Sequence, residues 1–158
     1  MLNEDYKEML QCLSAEDVKF LLVGAYAMAA HGYPRATMDI DLWVMPSPDN
    51  AAAVLRALRK FGAPLQGLSL SDLQKDDTVF QIGVAPRRID ILTGASGLRF
   101  DEAFRHSSPI EIEGLQIRIP SVADLIRNKR ASGRTKDLAD AEALEALRDA
   151  GDSSESPR

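Results

Sequence analysis

Cysteine is nearly absent from this chain, with Cys12 the only one in 158 residues. A single thiol excludes both an intrachain disulfide framework and a cysteine zinc site. Histidine is almost as scarce: His31 and His106 stand far apart with no neighbouring ligand pattern, so neither is given a role. A metal bound within the chain must therefore find oxygen ligands or those two imidazoles. No apolar run approaches the ~20 residues that span a bilayer. The opening MLNEDYKEML lacks the basic start and apolar stretch of a secretion signal. These absences set the expectation of a cytoplasmic protein with no membrane partner. Positive charge is not in excess either, with 19 Lys and Arg against 24 Asp and Glu and a formal net charge of −5. That balance argues against non-specific nucleic-acid binding, which needs many phosphate contacts, but leaves room for a local basic patch.

What is present suits one globular domain. Hydrophobic residues make up 45% and charged residues 27%, enough for a real core, expected over residues 1 to 150. Residues 151 to 158 are polar, Ser-rich and include Pro157. Such a tail buries too little apolar surface to order itself.

Periodicity supplies the elements. Tyr6, Met9, Leu10 and Leu13 recur at helical spacing. Residues 20 to 23 form a short apolar run ending at Gly24, read as a buried strand before a small-residue helix over 25 to 30. Ser47-Pro48 and Gly62 bracket a helix over 49 to 61, with Ala53, Leu55 and Leu58 facing the sheet. Residues 78 to 84 and 88 to 92 read as strands joined at Ala85-Pro86-Arg87, a plausible hairpin. Residues 110 to 112 and 115 to 119 flank Glu113-Gly114, a two-residue hairpin expected at the edge of the sheet. Ser121 and Asp124 have capping-box spacing for a helix ending at Gly133, and residues 135 to 150 read as the last helix.

The chemistry centres on M-D-I-D-L-W-V at residues 38 to 44. Strand alternation places Ile40, Leu42 and Val44 on one face and Asp39, Asp41 and Trp43 on the other. The two carboxylates lie about 7 Å apart at ~3.3 Å per residue. A solvated strand face also produces this pattern, so context has to decide between a metal site and a surface. The context is Asp90 in R-I-D-I-L, where Arg88, Asp90 and Leu92 share a face and Ile89 and Ile91 point to the core. Three acids converging on one face is the arrangement nucleotidyl transfer needs: two Mg²⁺ ions clamp the attacking and leaving oxygens, and a third acid can take the acceptor's proton. Val23-Gly24-Ala25 sits at a strand-to-helix turn where backbone N–H groups can meet a phosphate, or is simply a tight turn. Trp43 either stacks on a base or belongs to the core.

The stretch L-L-V-G-A-Y-A-M-A-A-H-G-Y-P-R-A-T-M-D-I-D-L-W-V resembles the signature of the polymerase-β-like nucleotidyltransferase superfamily. That signature is a Gly-Gly or Gly-Ser turn, a helix, then two aspartates on a strand. With K-R-A-S-G-R-T-K-D-L-A-D near the C-terminus, the chain is similar to small bacterial nucleotidyltransferase-like proteins related to the AbiEii/AbiGii toxins. The likeness covers roughly residues 18 to 145. It implies that Asp39 and Asp41 are the metal-binding pair, Asp90 the third acid, and Gly24 and Ala25 the phosphate turn, where Ala25 replaces the usual Gly or Ser. It also implies a phosphate or structural role for Arg35 and Thr37 and, in the cluster Arg127, Lys129, Arg130, Arg134 and Lys136, donor phosphates neutralised by Lys129 or Lys136. A solvated helix face accounts equally for that cluster. The implied fold is α/β (α+β), a small, mixed and mostly antiparallel sheet flanked by helices, the C-terminal pair closing over the cleft.

The expectation is thus a Mg²⁺-dependent nucleotidyltransferase moving a nucleoside monophosphate from an NTP to an acceptor hydroxyl on an RNA end, a protein or a small molecule. The resemblance adds a place in a toxin-antitoxin or defence system with a cognate partner. Two rivals stand beside it. One is a non-catalytic module that keeps the fold and binds a toxin or antitoxin protein, for which Ala25 is the best support. The other is a metal-dependent phosphohydrolase or nuclease, which also clusters acids.

Overall fold

The computed structural model describes residues 2–33, 39–84 and 87–154, without the side chains of 152–154. Helix α1 (Glu4–Ala15) starts at Asn3, whose side chain accepts from the Tyr6 amide, and buries Tyr6, Met9, Leu10 and Leu13. These are the positions the helical spacing selects. Strand β1 (Phe20–Val23) runs straight into the short helix α2 (Gly24–Ala30). Strand β2 (Ile40–Val44) precedes α3 (Pro48–Phe61), which Ser47 caps by accepting from the Asn50 amide and Gly62 ends at φ +90°. A 3₁₀ turn over Asp72–Gln74 leads to β3 (Val79–Ile82) and β4 (Ile89–Leu92).

These four strands form one sheet in the order β1-β2-β4-β3. The β2/β4 pair is parallel, while β1/β2 and β3/β4 are antiparallel, giving the mixed, mostly antiparallel sheet. The antiparallel β3/β4 pairing agrees with the expected hairpin, although Ala85 and Pro86 lie outside the described residues. The parallel β2/β4 pair requires a long crossover, and α3 supplies its helix.

One face of the sheet carries the main core. Phe20, Leu22, Ile40, Leu42, Val44, Ile82, Ile89 and Ile91 pack there with α1, α2 and α3. Ala53 and Leu58 of α3 are buried and Leu55 is partly so. On the other face Leu21 and Trp43 pack with Phe100 and Ala103 of α4 (Phe100–His106).

Strands β5 (Ser108–Ile112) and β6 (Leu115–Ile119) pair with each other as a separate two-stranded sheet. This corrects the expectation that the hairpin extends the main sheet. Ile117 and Ile119 instead plug into the core, and β6 lies against β1 without hydrogen-bonding to it. The turn itself is as read: Glu113 and Gly114 have φ of +47° and +85°, the double positive φ of a tight hairpin turn. Helix α5 (Val122–Ser132) starts where Ser121 accepts from the Asp124 amide and ends at Gly133. Helix α6 (Thr135–Ser154) packs on α5 and runs past residue 150, where the sequence pattern places its end. Among the described residues no helix is long and apolar enough to cross a membrane.

Candidate active site

Strand register assembles the site. Asp41 pairs with Val23 on one side and with Asp90 on the other, and Asp90 pairs with Gln81. Val23, Asp41, Asp90 and Gln81 therefore form one row across the sheet, on the face away from the main core. Neighbouring strands lie about 4.8 Å apart, so Asp41 and Asp90 are close. The next row is Leu21, Trp43, Leu92 and Val79, which is apolar. Asp39 immediately precedes β2 and joins the acids from one end.

Gly24 fits against this row. Its φ is +71°, and a Cβ added there would lie 2.3 Å from Asp41 Oδ2. A side chain would thus meet both backbone strain and the carboxylate, which explains glycine at the end of β1. Ala25 follows in α2 and is half-buried.

Among the described residues the three acids share little positive charge. Burial, then the charge of Asp90 and a hydrogen bond with it, then the charge of Asp39, push the Asp41 carboxyl up from the usual range to about 6, against a smaller opposing pull from Arg88. Among the described residues the cation that meets them is Arg88, whose Nε donates to Asp90 Oδ1 at 2.9 Å and whose Nη2 donates to Asp90 Oδ2 at 3.2 Å. The same Nη2 lies 3.0 Å from Asp39 Oδ2. Asp90's hydrogen bond and charge raise the guanidinium's pKa further, so it remains charged. The Arg88 carbonyl is itself held, accepting from Tyr6 Oη at 3.2 Å and from the Ile40 amide at 3.0 Å. Burial and the nearby Tyr26 and Asp39 push the Tyr6 phenol to about 12, keeping it a donor.

As donors for a metal, Asp39, Asp41 and Asp90 offer hard oxygens, the class Mg²⁺ selects. Two of them in register, with burial and then the neighbouring acids pushing one carboxyl up, fit a divalent ion. As the side chains stand, however, no group of three or more His, Cys, Asp or Glu among the described residues is arranged around an ion position. The Arg88 guanidinium spans Asp39 and Asp90.

A cavity of about 220 Å³ opens beside the acid row, lined by Gly24, Asp41, Leu98, Leu125, Asn128 and Arg134 among others. Its walls are segment 94–98 and α5, which Asn128 ties together by donating to the Ser96 carbonyl at 2.9 Å. Of the C-terminal helix pair expected over the cleft, α5 lines this cavity and α6 does not. A larger cavity of about 490 Å³ on the Trp43 and Phe100 side of the same segment contains none of the three acids. The smaller one is taken as the site because Asp41 and Gly24 line it.

Lys129 is mostly buried and lies 3.2 Å from Asp140 and 3.6 Å from Asp137, while Lys136 is exposed. Neither lines the cavity beside Asp41. The cation that does is Arg134, whose Nε donates to Asp137 at 2.7 Å and, with Lys129, holds that carboxyl below its usual range. Arg35 and Thr37 lie outside the described residues. Trp43 is core: its ring meets Phe100 edge-to-face at 5.2 Å, and its indole N–H is buried with no acceptor among the described residues. His31 is hydrogen-bonded to the Pro120 carbonyl and His106 to Asp124. Sequence reasoning missed the pairing role of Arg88 and the places of Tyr6 and Asn128. The R-x-D spacing, which puts both charges on one strand face, is the signal that could have found the first.

No family model matches the sequence, and no curated protein matches it. Solved structures do. A Thermotoga maritima protein assigned as a nucleotidyltransferase aligns with a TM-score of 0.57 at 17% identity, covering 97% of this chain and 96% of that one. The lincosamide antibiotic adenylyltransferase LnuA, solved with lincomycin bound, aligns with a TM-score of 0.56 at 12% identity over 93% of this chain and 98% of its own. At such identities the likeness is one of fold, and the chain has the nucleotidyltransferase fold.

Proposed function

We propose that this chain is a Mg²⁺-dependent nucleotidyltransferase that moves a nucleoside monophosphate from an NTP to an acceptor hydroxyl. The observation that carries the reading is the paired row of Asp41 and Asp90 beside a cavity that also holds Gly24 and Arg134. Asp39, Asp41 and Asp90 would hold two ions, which when bound supply charge stabilisation to the attacking and leaving oxygens. The cavity-lining Arg134 would meet the donor's phosphates, and the Gly24-Ala25 amides at the start of α2 would approach them where no side chain intervenes. The acceptor oxygen attacks the α-phosphorus, its bond to pyrophosphate breaks, and the acceptor's proton passes to Asp90. Arg88 orients that carboxylate through two hydrogen bonds.

We further propose a small-molecule acceptor. The net charge of −5 disfavours a long polyanion, and a similarly folded structure is an adenylyltransferase of a small antibiotic. One observation favours the second reading, a catalytically weak module that binds a toxin or antitoxin partner: Arg88 already pairs with two of the acids.

Thermal unfolding with each of the four NTPs, with and without Mg²⁺, separates the two. Donor at 100 times its Kd adds about 2.7 kcal/mol, or very roughly 5 to 10 °C in a domain of this size. A Mg²⁺-dependent shift with one NTP, lost in Asp39→Ala/Asp41→Ala, identifies the donor. No shift with any NTP overturns the transferase in favour of the binding module.

A further inference from the structure

We infer that Arg88 is a resident counter-ion of the acid row, a positioning residue that holds Asp39 and Asp90 in the metal-free protein and competes with the divalent cation for Asp39. The inference rests on the metal site proposed above and adds a residue that the acid signature does not contain. Its basis is the asymmetry of one guanidinium. Asp90 receives two hydrogen bonds in a fork, whereas Asp39 shares Nη2 with Asp90 Oδ2. Bidentate Arg–carboxylate pairs are the stronger and better oriented. Asp39 is therefore the acid that Arg88 releases first.

The surroundings confine the change to the side chain. The Arg88 carbonyl is fixed by the Tyr6 hydroxyl and the Ile40 amide, so the backbone stays in place. The side chain is 32% exposed and Asp39 equally so, so both ends of this contact already meet solvent. Asp90 is 9% exposed and keeps the guanidinium nearby after Asp39 departs. In the free protein Arg88 thus lowers the mutual repulsion of three carboxylates. When an ion arrives, the same charge opposes it. Binding is then weaker than the acids alone would allow, and loading couples to a movement of Arg88.

The test is Mn²⁺ binding followed by electron paramagnetic resonance on wild type, Arg88→Gln and Arg88→Lys. Arg88→Gln should bind at least about tenfold more tightly, because a unit charge beside a divalent ion in a partly screened site is removed. Arg88→Lys, which restores the charge, should return affinity to within about threefold of wild type on the same grounds. Equal or weaker binding by Arg88→Gln, with wild type binding normally, overturns the inference and leaves the metal site standing. Absence of Mn²⁺ binding in all three sinks the metal site and the inference together. Should Arg88→Gln fail to fold, the Arg88 Nε–H resonance of wild type is followed through a Mg²⁺ titration. It should move with the occupancy of the site, and a resonance unchanged at saturating Mg²⁺ refutes the competition.

Discussion

Replacing Asp41 with asparagine should stabilise the metal-free protein at neutral pH, although it removes a central acid. Asp41 is half-buried beside Asp90, and its carboxyl is pushed up from 3.8 to about 6. The folded state therefore binds that proton more tightly than the unfolded chain does. The stability this confers is fully present below pH ~4 and is lost as pH rises through about 6, by the linkage of proton binding to folding. Each pKa unit corresponds to about 1.36 kcal/mol, so the full shift is worth at most about 3 kcal/mol. Partial exposure reduces this to about 1 to 2 kcal/mol. Asparagine carries no charge and its amide can still donate to Asp90. Above pH 7 the Asp41→Asn protein should melt higher than wild type by very roughly 2 to 8 °C, and its stability should change less between pH 4 and 6. Saturating Mg²⁺ should reverse the order by stabilising wild type alone. Thermal and urea unfolding from pH 4 to 8, in chelator and then in Mg²⁺, reads all of this. An Asn variant less stable than wild type in chelator at pH 7.5, or one with an unchanged slope between pH 4 and 6, would refute the reasoning.

Gly24→Ala should cost about 1 to 2 kcal/mol for its left-handed backbone, and its Cβ, 2.3 Å from Asp41 Oδ2, should abolish any Mg²⁺-NTP melting shift. Trp43→Phe should change stability by under about 1.5 kcal/mol, since losing an unpaired buried N–H offsets lost packing. It should leave NTP affinity untouched, and a tenfold loss in a binding titration would place the indole at the donor after all. Lys129→Met should destabilise by about 3 kcal/mol in urea unfolding, because the buried Asp137 and Asp140 lose a partner. Folded Lys129→Met should retain NTP affinity while Arg134→Ala loses about tenfold, a typical single phosphate contact. The opposite ranking would return Lys129 to the phosphates.

What the sequence determined by itself is what depends on neighbours a few residues away. Side-chain alternation puts Asp39 and Asp41 opposite Ile40 and Leu42 whatever the strand pairs with. Helical spacing likewise selects the buried face of α1, Ser47 and Ser121 cap α3 and α5, and Glu113-Gly114 turns the hairpin. Only the tertiary structure decided which strand lies beside which. The parallel register of β2 and β4 sets Asp90 against Asp41, two residues 49 positions apart that no local pattern aligns. It also sent β5 and β6 into a sheet of their own. Direction of long side chains was equally illegible: Arg88 folds back onto Asp90 and Asp39, and Lys129 turns to Asp137 and Asp140. A flexible cation follows the nearest uncompensated carboxylate, and which carboxylate that is depends on burial and register, which exist only once the chain has folded.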